Sequence, residues 1–299
     1  ASDRDLFQHL AFVDAESAWT VTKGKGVKVA VIDTGVNFNH PDLSANIATA
    51  TNGKVIGHNF WAATSNAFDD QGHGTHVAGL AASAVMGVAP EATIIPIKAL
   101  NAMGGGDLAA IVAAIRFAGR AGAHVINASF GAEDVSFAVM QEAIQAATDA
   151  GALFVVAAGN GEAGIGFDID ARPVYPATLP VPGLLSVAAT RLDGALSVYS
   201  NFGARLVHVA APGGDPSPGN GTLMSANYLP GKRLYVGEMG TSMATPVTVG
   251  IAALAKARHM SWTAVELKEH LMRSGTSLPA LAGKVVSGQL LSASLAVAH

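Results

Sequence analysis

Apolar residues along the chain fall into two alternating kinds of run. Short, nearly continuous apolar stretches occupy Val27–Asp33, Thr93–Leu100, His124–Ser129, Leu153–Ala158, Leu185–Ala189, Leu206–Ala211 and Leu234–Val236. Runs of that length without strict alternation predict strands covered on both faces. Between them lie longer, Ala-rich segments of helical period: His73–Ser83, Asp107–Gly119, Ser136–Ala150, Ser242–Arg258 and Thr263–Arg273. The last opens with the capping-box pattern Thr263-x-x-Glu266. The alternation predicts an α/β fold of three layers, a central, mainly parallel sheet flanked by helices. No repeat of solenoid period and no low-complexity linker interrupts it. The Gly/Pro-rich stretch Pro212–Gly221 has apolar runs on both sides and reads as a surface loop, so residues 1–299 read as a single domain.

Composition narrows the class. A length of 299 residues suits one large α/β enzyme domain. Only 13% of residues are charged, against roughly 25% in an ordinary globular protein, which argues against disorder. A net charge of -4 argues against a nucleic-acid partner. No stretch reaches the roughly 18 apolar residues of a membrane helix, so no membrane partner is expected. Asp3, Arg4 and Asp5 make the N-terminus too charged for a signal peptide, and the chain reads as a mature form. Absence of cysteine excludes thiol catalysis, disulfide scaffolds and cysteine-ligated zinc.

Candidate chemistry gathers where predicted strands give way to helices. Gly240-Thr241-Ser242-Met243-Ala244-Thr245-Pro246 places a serine between the apolar run Leu234–Val236 and a helix. There, unpaired N–H groups and the positive end of the helix dipole favour an oxyanion. Pro246 fits a first helical turn, where its missing N–H costs nothing. A serine nucleophile needs a base and a group that orients the base. Asp33 ends the run Val29-Ala30-Val31-Ile32 and enters the turn Thr34-Gly35, although alone it also reads as a turn or cap aspartate. His73 lies in Asp69-Asp70-Gln71-Gly72-His73-Gly74-Thr75-His76, flanked by glycines that permit close backbone approach. His76, one turn on, reads as a packed core histidine, with a His-x-x-His metal pair as the alternative. Asn160 ends Ala157-Ala158-Gly159-Asn160, where its amide would donate to an oxyanion or simply form a left-handed turn.

Together, Asp33-Thr34-Gly35, His73–Gly79, Ala157–Asn160 and Gly240–Pro246 resemble, in order, the four signature blocks of the subtilisin-like serine proteases, the subtilases. The resemblance runs from about Trp19 to the C-terminal segment. It implies a serine endopeptidase in which Ser242 attacks the scissile carbonyl and forms an acyl-enzyme, His73 is the base and Asp33 orients it. Asn160 and the Ser242 N–H would hold the oxyanion. Gly104-Gly105-Gly106 and Ser129-Phe130-Gly131 match the backbone segments that sandwich an extended peptide, although Gly104–Gly106 also reads as a turn before the Asp107 helix. Ala158, Gly159 and Thr241 are implied to lie along the same substrate path.

Departures from the family pattern set further expectations. Ala81–Gly87 is short and lacks the carboxylates of the calcium-binding loop that bacterial members insert there, although Asp42 matches one ligand of that site. Catalysis is expected to need no cofactor, with structural Ca2+ left open elsewhere. Tyr175-Pro176-Ala177 resembles a block whose X–Pro bond is often cis. Val174 falls where many members carry glycine at the base of the primary pocket, so small or medium apolar P1 residues are expected. Asp69 and Asp70 would favour a basic P2 residue or cap the following helix. Family members are mostly secreted as precursors, which implies an extracellular protein with polypeptide substrates, its own inhibitory prosegment as a partner and a monomeric state. A catalytically silent peptide-binding module and a Rossmann-type nucleotide binder are the alternatives. The latter lacks a Gly-x-Gly-x-x-Gly between strand and helix.

Overall fold

The computed structural model describes residues 6–131, 137–218, 221–229, 231 and 233–298. Asp3, Arg4 and Asp5, Ser136 at the start of a predicted helix, and Gly219 in the predicted loop lie outside the described residues. In chain order the elements begin with α1 (Gln8–Phe12), α2 (Ala15–Trp19), β1 (Lys28–Asp33), β2 (His58–Asn59), α3 (His73–Ala82) and β3 (Thr93–Lys98). Next come α4 (Leu108–Arg120), β4 (Val125–Ala128), α5 (Phe137–Asp149), β5 (Leu153–Ala157), β6 (Leu184–Thr190) and β7 (Val209–Pro212). The chain closes with β8 (Leu223–Ala226), β9 (Tyr235–Glu238), α6 (Thr241–Arg258), α7 (Ala264–Leu271), β10 (Gly275–Ser277), β11 (Gln289–Leu291) and α8 (Ala293–Val297).

One sheet runs in the order β10-β11-β7-β6-β5-β4-β1-β3-β2, and all its pairings are parallel except β10 with β11. Strand side chains alternate between two cores. Val29 and Val31 of β1 join the layer containing α3 and α6, while Ala30 and Ile32 join the layer under α4 and α5. Burying both faces explains the unbroken apolar runs. Helix α6 is apolar all round because it lies buried within its layer, from Met243 to Lys256. Capping follows the sequence: Thr263 accepts from Glu266 N, and the Glu266 carboxylate returns to Thr263 N at 2.8 Å.

The sheet reverses its order of growth at β1, which lies between β3 and β4. In open α/β sheets, the crevice outside the strand C-termini at such a reversal binds ligands. Asp33 stands at that point.

Two expectations need correction. Leu234–Val236 does not feed α6 from the sheet, because β9 pairs antiparallel with β8 as a separate two-stranded ribbon. All four β9 residues are half-buried, so the short apolar run marks a surface ribbon and not a core strand. Pro246 is the sixth residue of α6, beyond the first turn. The lost N–H is the one that would have bonded Ser242 O, and that carbonyl accepts from Ser129 Oγ at 3.0 Å instead.

Candidate active site

Asp33 is fully buried at the end of β1, and Nδ1 of His73 lies 2.9 and 3.0 Å from its two carboxylate oxygens. The acid is fixed first by its own turn, since Thr34 N donates to Asp33 Oδ1 at 2.7 Å. The histidine is fixed by close backbone approach. A Cβ on Gly74 would sit 2.1 Å from Gly35 O and 3.0 Å from Asp33 Cβ, so only glycine after His73 lets α3 dock on the β1 turn. Burial of the ring opposes the imidazolium. The Asp33 charge and hydrogen bond, with smaller contributions from Glu238 and Asp69, outweigh it and raise His73 from 6.5 to about 9.

Asp69 and Asp70 are both committed within the fold. Asp69, 2% exposed, accepts from Thr34 Oγ1, Gln71 N and Gly72 N through Oδ1, and from Thr75 N and Thr75 Oγ1 through Oδ2. It caps the start of α3, where a carboxylate is favourable. Asp70 pairs with the buried Lys98 at 2.7 Å. Of the two expectations for these acids, helix capping fits Asp69, while Asp70 remains half exposed beside its Lys98 partner.

Ser242 is the second residue of α6. Its Oγ donates to Ser129 O at 3.1 Å; among the described residues its hydroxyl bond goes there and not to His73. Asn160 turns its Oδ1 toward the helix start, accepting from Thr241 N at 2.9 Å and Thr241 Oγ1 at 2.8 Å. With Oδ1 held, Nδ2 is left as the donor beside the helix N-terminus.

These groups share a cleft of about 510 Å³. His73, Ser242, Asn160, Thr241, Gly159, Val174, Gly104 and the segment Ser129-Phe130-Gly131 all line it. Gly105 and Gly106 continue the wall outside it and are exposed. Ala158 is fully buried and does not line it, and its carbonyl accepts from Asn201 Nδ2 at 3.0 Å. Val174 Cγ1 lies 3.5 Å from where a Gly131 Cβ would be and 3.7 Å from a Gly159 Cβ. It therefore fills the space between the two glycine-lined walls. The Tyr175–Pro176 peptide is cis.

His76 is a core residue: fully buried, its Nε2 is 3.0 Å from Leu223 O and 3.2 Å from Val236 O, pinning both ribbon strands to α3. Asp42 accepts from the Tyr235 hydroxyl at 2.8 Å. Among the described residues no group of three or more His, Cys, Asp or Glu is placed to hold a metal ion.

Sequence reasoning passed over Asn201 and Glu238. Asn201 receives Phe167 N on Oδ1 and donates N to Gly159 O at 2.9 Å, tying the strand end before Asn160 to the Gly161–Arg172 loop. Its signal was an asparagine within Val198-Tyr199-Ser200-Asn201-Phe202, a polar residue too short to be a surface charge and here 2% exposed. Glu238, half-buried at the end of β9, is held by its burial above the ordinary carboxylate range, with Asp33 and Asp69 adding to this and His73 opposing.

The subtilase family model matches residues 24–288. Subtilisin Savinase from Lederbergia lenta is 38% identical over 260 residues, which cover 85% of this chain and 85% of the relative. An alkaline protease from Alkalihalobacillus alcalophilus is 38% identical over 85% of this chain but only 60% of its own length. Thermitase from Thermoactinomyces vulgaris is 35% identical over 81% of this chain and 79% of its own. A solved cold adapted subtilisin-like serine proteinase superposes with a TM-score of 0.77 at 28% identity, covering 91% of this chain and 90% of that one. With a family match across most of its length and these identities, the chain belongs to the subtilase family and is a subtilisin-like serine endopeptidase.

Proposed function

We propose that Ser242, His73 and Asp33 form the catalytic triad and that cleavage passes through an acyl-enzyme on Ser242. The observation that carries this reading is the Asp33–His73 pairing at 2.9 and 3.0 Å on a cleft that Ser242 also lines. Asp33 accepts the Nδ1 proton of His73, which leaves Nε2 as the base. Rotation of Ser242 about χ1 moves its hydroxyl from Ser129 O to Nε2. The oxygen then adds to the scissile carbonyl while the proton passes to His73. His73 next donates that proton to the leaving amine, and water repeats the sequence to release the acid. Asn160 Nδ2 and the Ser242 N–H receive the oxyanion. No metal or cofactor is assigned to the chemistry, because serine, imidazole and carboxylate complete the proton inventory.

The substrate is an extended, flexible polypeptide lying between Gly104–Gly106 and Ser129–Gly131, with its P1 side chain directed at Val174. The position of Val174 Cγ1 between the Gly131 and Gly159 walls supports small or medium apolar P1 residues. Among the described residues no helix is long and apolar enough to cross a membrane. The subtilisin and alkaline protease relatives support an extracellular enzyme acting on polypeptide substrates; a monomeric state and its own prosegment as a partner complete the proposal. A serine-directed phosphonylating reagent is expected to label Ser242 and abolish peptidase activity, and Ser242→Ala to be folded and inactive. Undiminished hydrolysis by Ser242→Ala would end this reading.

A further inference from the structure

Lys98 ends β3 as the register partner of Asp33, yet its side chain is only 3% exposed. A buried ammonium is costly unless its donors are met. Here all three are: Nζ donates to Thr34 O, Leu100 O and Asp70 Oδ1, each at 2.7 Å. The acceptors lie on three different segments. Thr34 follows the triad carboxylate and donates its own N–H to it. Leu100, whose N–H goes to Asp33 O at 3.1 Å, opens the stretch that runs to Gly104–Gly106. Asp70 precedes Gln71, whose Oε1 accepts from His73 N at 2.7 Å. Thr34, Leu100 and Gln71 all line the cleft. An apolar side chain would avoid the cost of desolvating the ammonium, so stability alone does not account for a charge at this position.

We propose that Lys98 is a positioning residue, locking the substrate-binding segment 100–106 to the turn that holds Asp33 and to the loop that leads into His73. It touches neither substrate nor reacting atoms. Through Leu100 and Thr34 it sets the register between the peptide residues on the amino side of the scissile bond and the triad. The proposal rests on the triad reading above.

The test compares Lys98→Met with wild type on two substrates of identical P1 residue: an acyl ester carrying P1 alone, and a peptide extending to P4. For the peptide, kcat/KM is expected to fall about 10- to 100-fold, the upper figure being the loss that about 1 Å of misplacement produces, while the ester changes by less than about threefold. Asp70→Asn, at the solvent end of the network, should lower the peptide value alone by about two- to fivefold. It carries the test if Lys98→Met does not accumulate folded. Equal loss on both substrates, or no loss on the peptide in a folded variant, overturns the proposal. Failure of the wild type to turn over either substrate would instead overturn the triad reading.

Discussion

With His73 as the proposed general base, its pairing with Asp33 should make activity and one part of stability respond to pH in opposite directions. His73 is raised from 6.5 to about 9 because Asp33 outweighs the burial of the ring. That rise corresponds to about 3 kcal/mol of extra stabilisation of the imidazolium in the folded chain. The folded value lies above the unfolded one, so this stabilisation is complete below pH 6.5 and is lost as pH rises through about 9. A general base must be neutral. At pH 7 only about 1% of His73 is, so kcat/KM should climb roughly tenfold per pH unit and level off above about pH 9. The assay is kcat/KM on a chromogenic peptide from pH 5.5 to 11, beside denaturant midpoints in an inactive Ser242→Ala background. His73→Gln in that background should flatten the fall in stability between pH 6.5 and 9. Glu238→Gln, which removes a second negative charge acting on the ring, should lower the kinetic inflection. A kcat/KM profile that bends near 6.5 would refute the reasoning, because burial would then cancel the carboxylate.

Asn160→Ala should lower kcat by about 10²–10³, the magnitude measured in subtilisin itself for the oxyanion amide, with little change in KM; it should also lower the unfolding midpoint, because Thr241 N and Oγ1 lose their acceptor. Val174→Gly should raise kcat/KM for Phe at P1 relative to Ala at P1 in otherwise identical peptides, and an unchanged ratio would remove Val174 from the pocket floor. Burial lowers His9 to about 4, against an opposing bond to Met86 O, and lowers His76 and His208 to about 3. Below pH 6.5 the unfolded chain takes up protons that these buried rings refuse, so each costs about 1.4 kcal/mol per pH unit until its folded value is reached. His9→Gln should therefore shift the acid unfolding midpoint to lower pH.

The sheet was legible because its central strands are covered on both faces, so that β1, β3, β4, β5 and β6 read as nearly unbroken apolar runs. Elements that depend on neighbours were not. The two residues of β2 and the three each of β10 and β11 take their identity from a pairing partner and carry no periodicity of their own. Asp33, His73, Asn160 and Ser242 were legible because each sits in a fixed glycine-bearing block at a strand or helix end. Asn201, Lys98 and Glu238 have no such block. Lys98 looks like the polar end of an apolar strand, and only the convergence of Thr34 O, Leu100 O and Asp70 on its ammonium reveals why it is there. Val174 was singled out by matching the Tyr175-Pro176-Ala177 block, but the effect proposed for it depends on the distance between the walls of Gly131 and Gly159, which no local pattern records.

Pro246 links the proposed nucleophile to the proposed substrate wall. By withholding the N–H that would have closed the helical bond, it frees Ser242 O for Ser129 Oγ, which also receives Asn127 Nδ2 at 2.9 Å. Ser129 O in turn accepts the Ser242 hydroxyl. The two serines are thus joined by a reciprocal pair of bonds, one through the helix backbone and one through the nucleophile. The first is independent of the Ser242 rotamer and holds the helix start against β4. The second must break for the hydroxyl to reach His73. The segment Ser129–Gly131 is also the wall proposed to receive the peptide as an added strand, so in that reading the carbonyl that accepts the Ser242 hydroxyl belongs to the docking surface. If the proposed triad and peptide wall hold, productive binding and release of the hydroxyl are coupled through Ser129. A proline in the first turn, where the sequence pattern alone would put it, would leave the Ser242 carbonyl shared between the helical ladder and Ser129 Oγ.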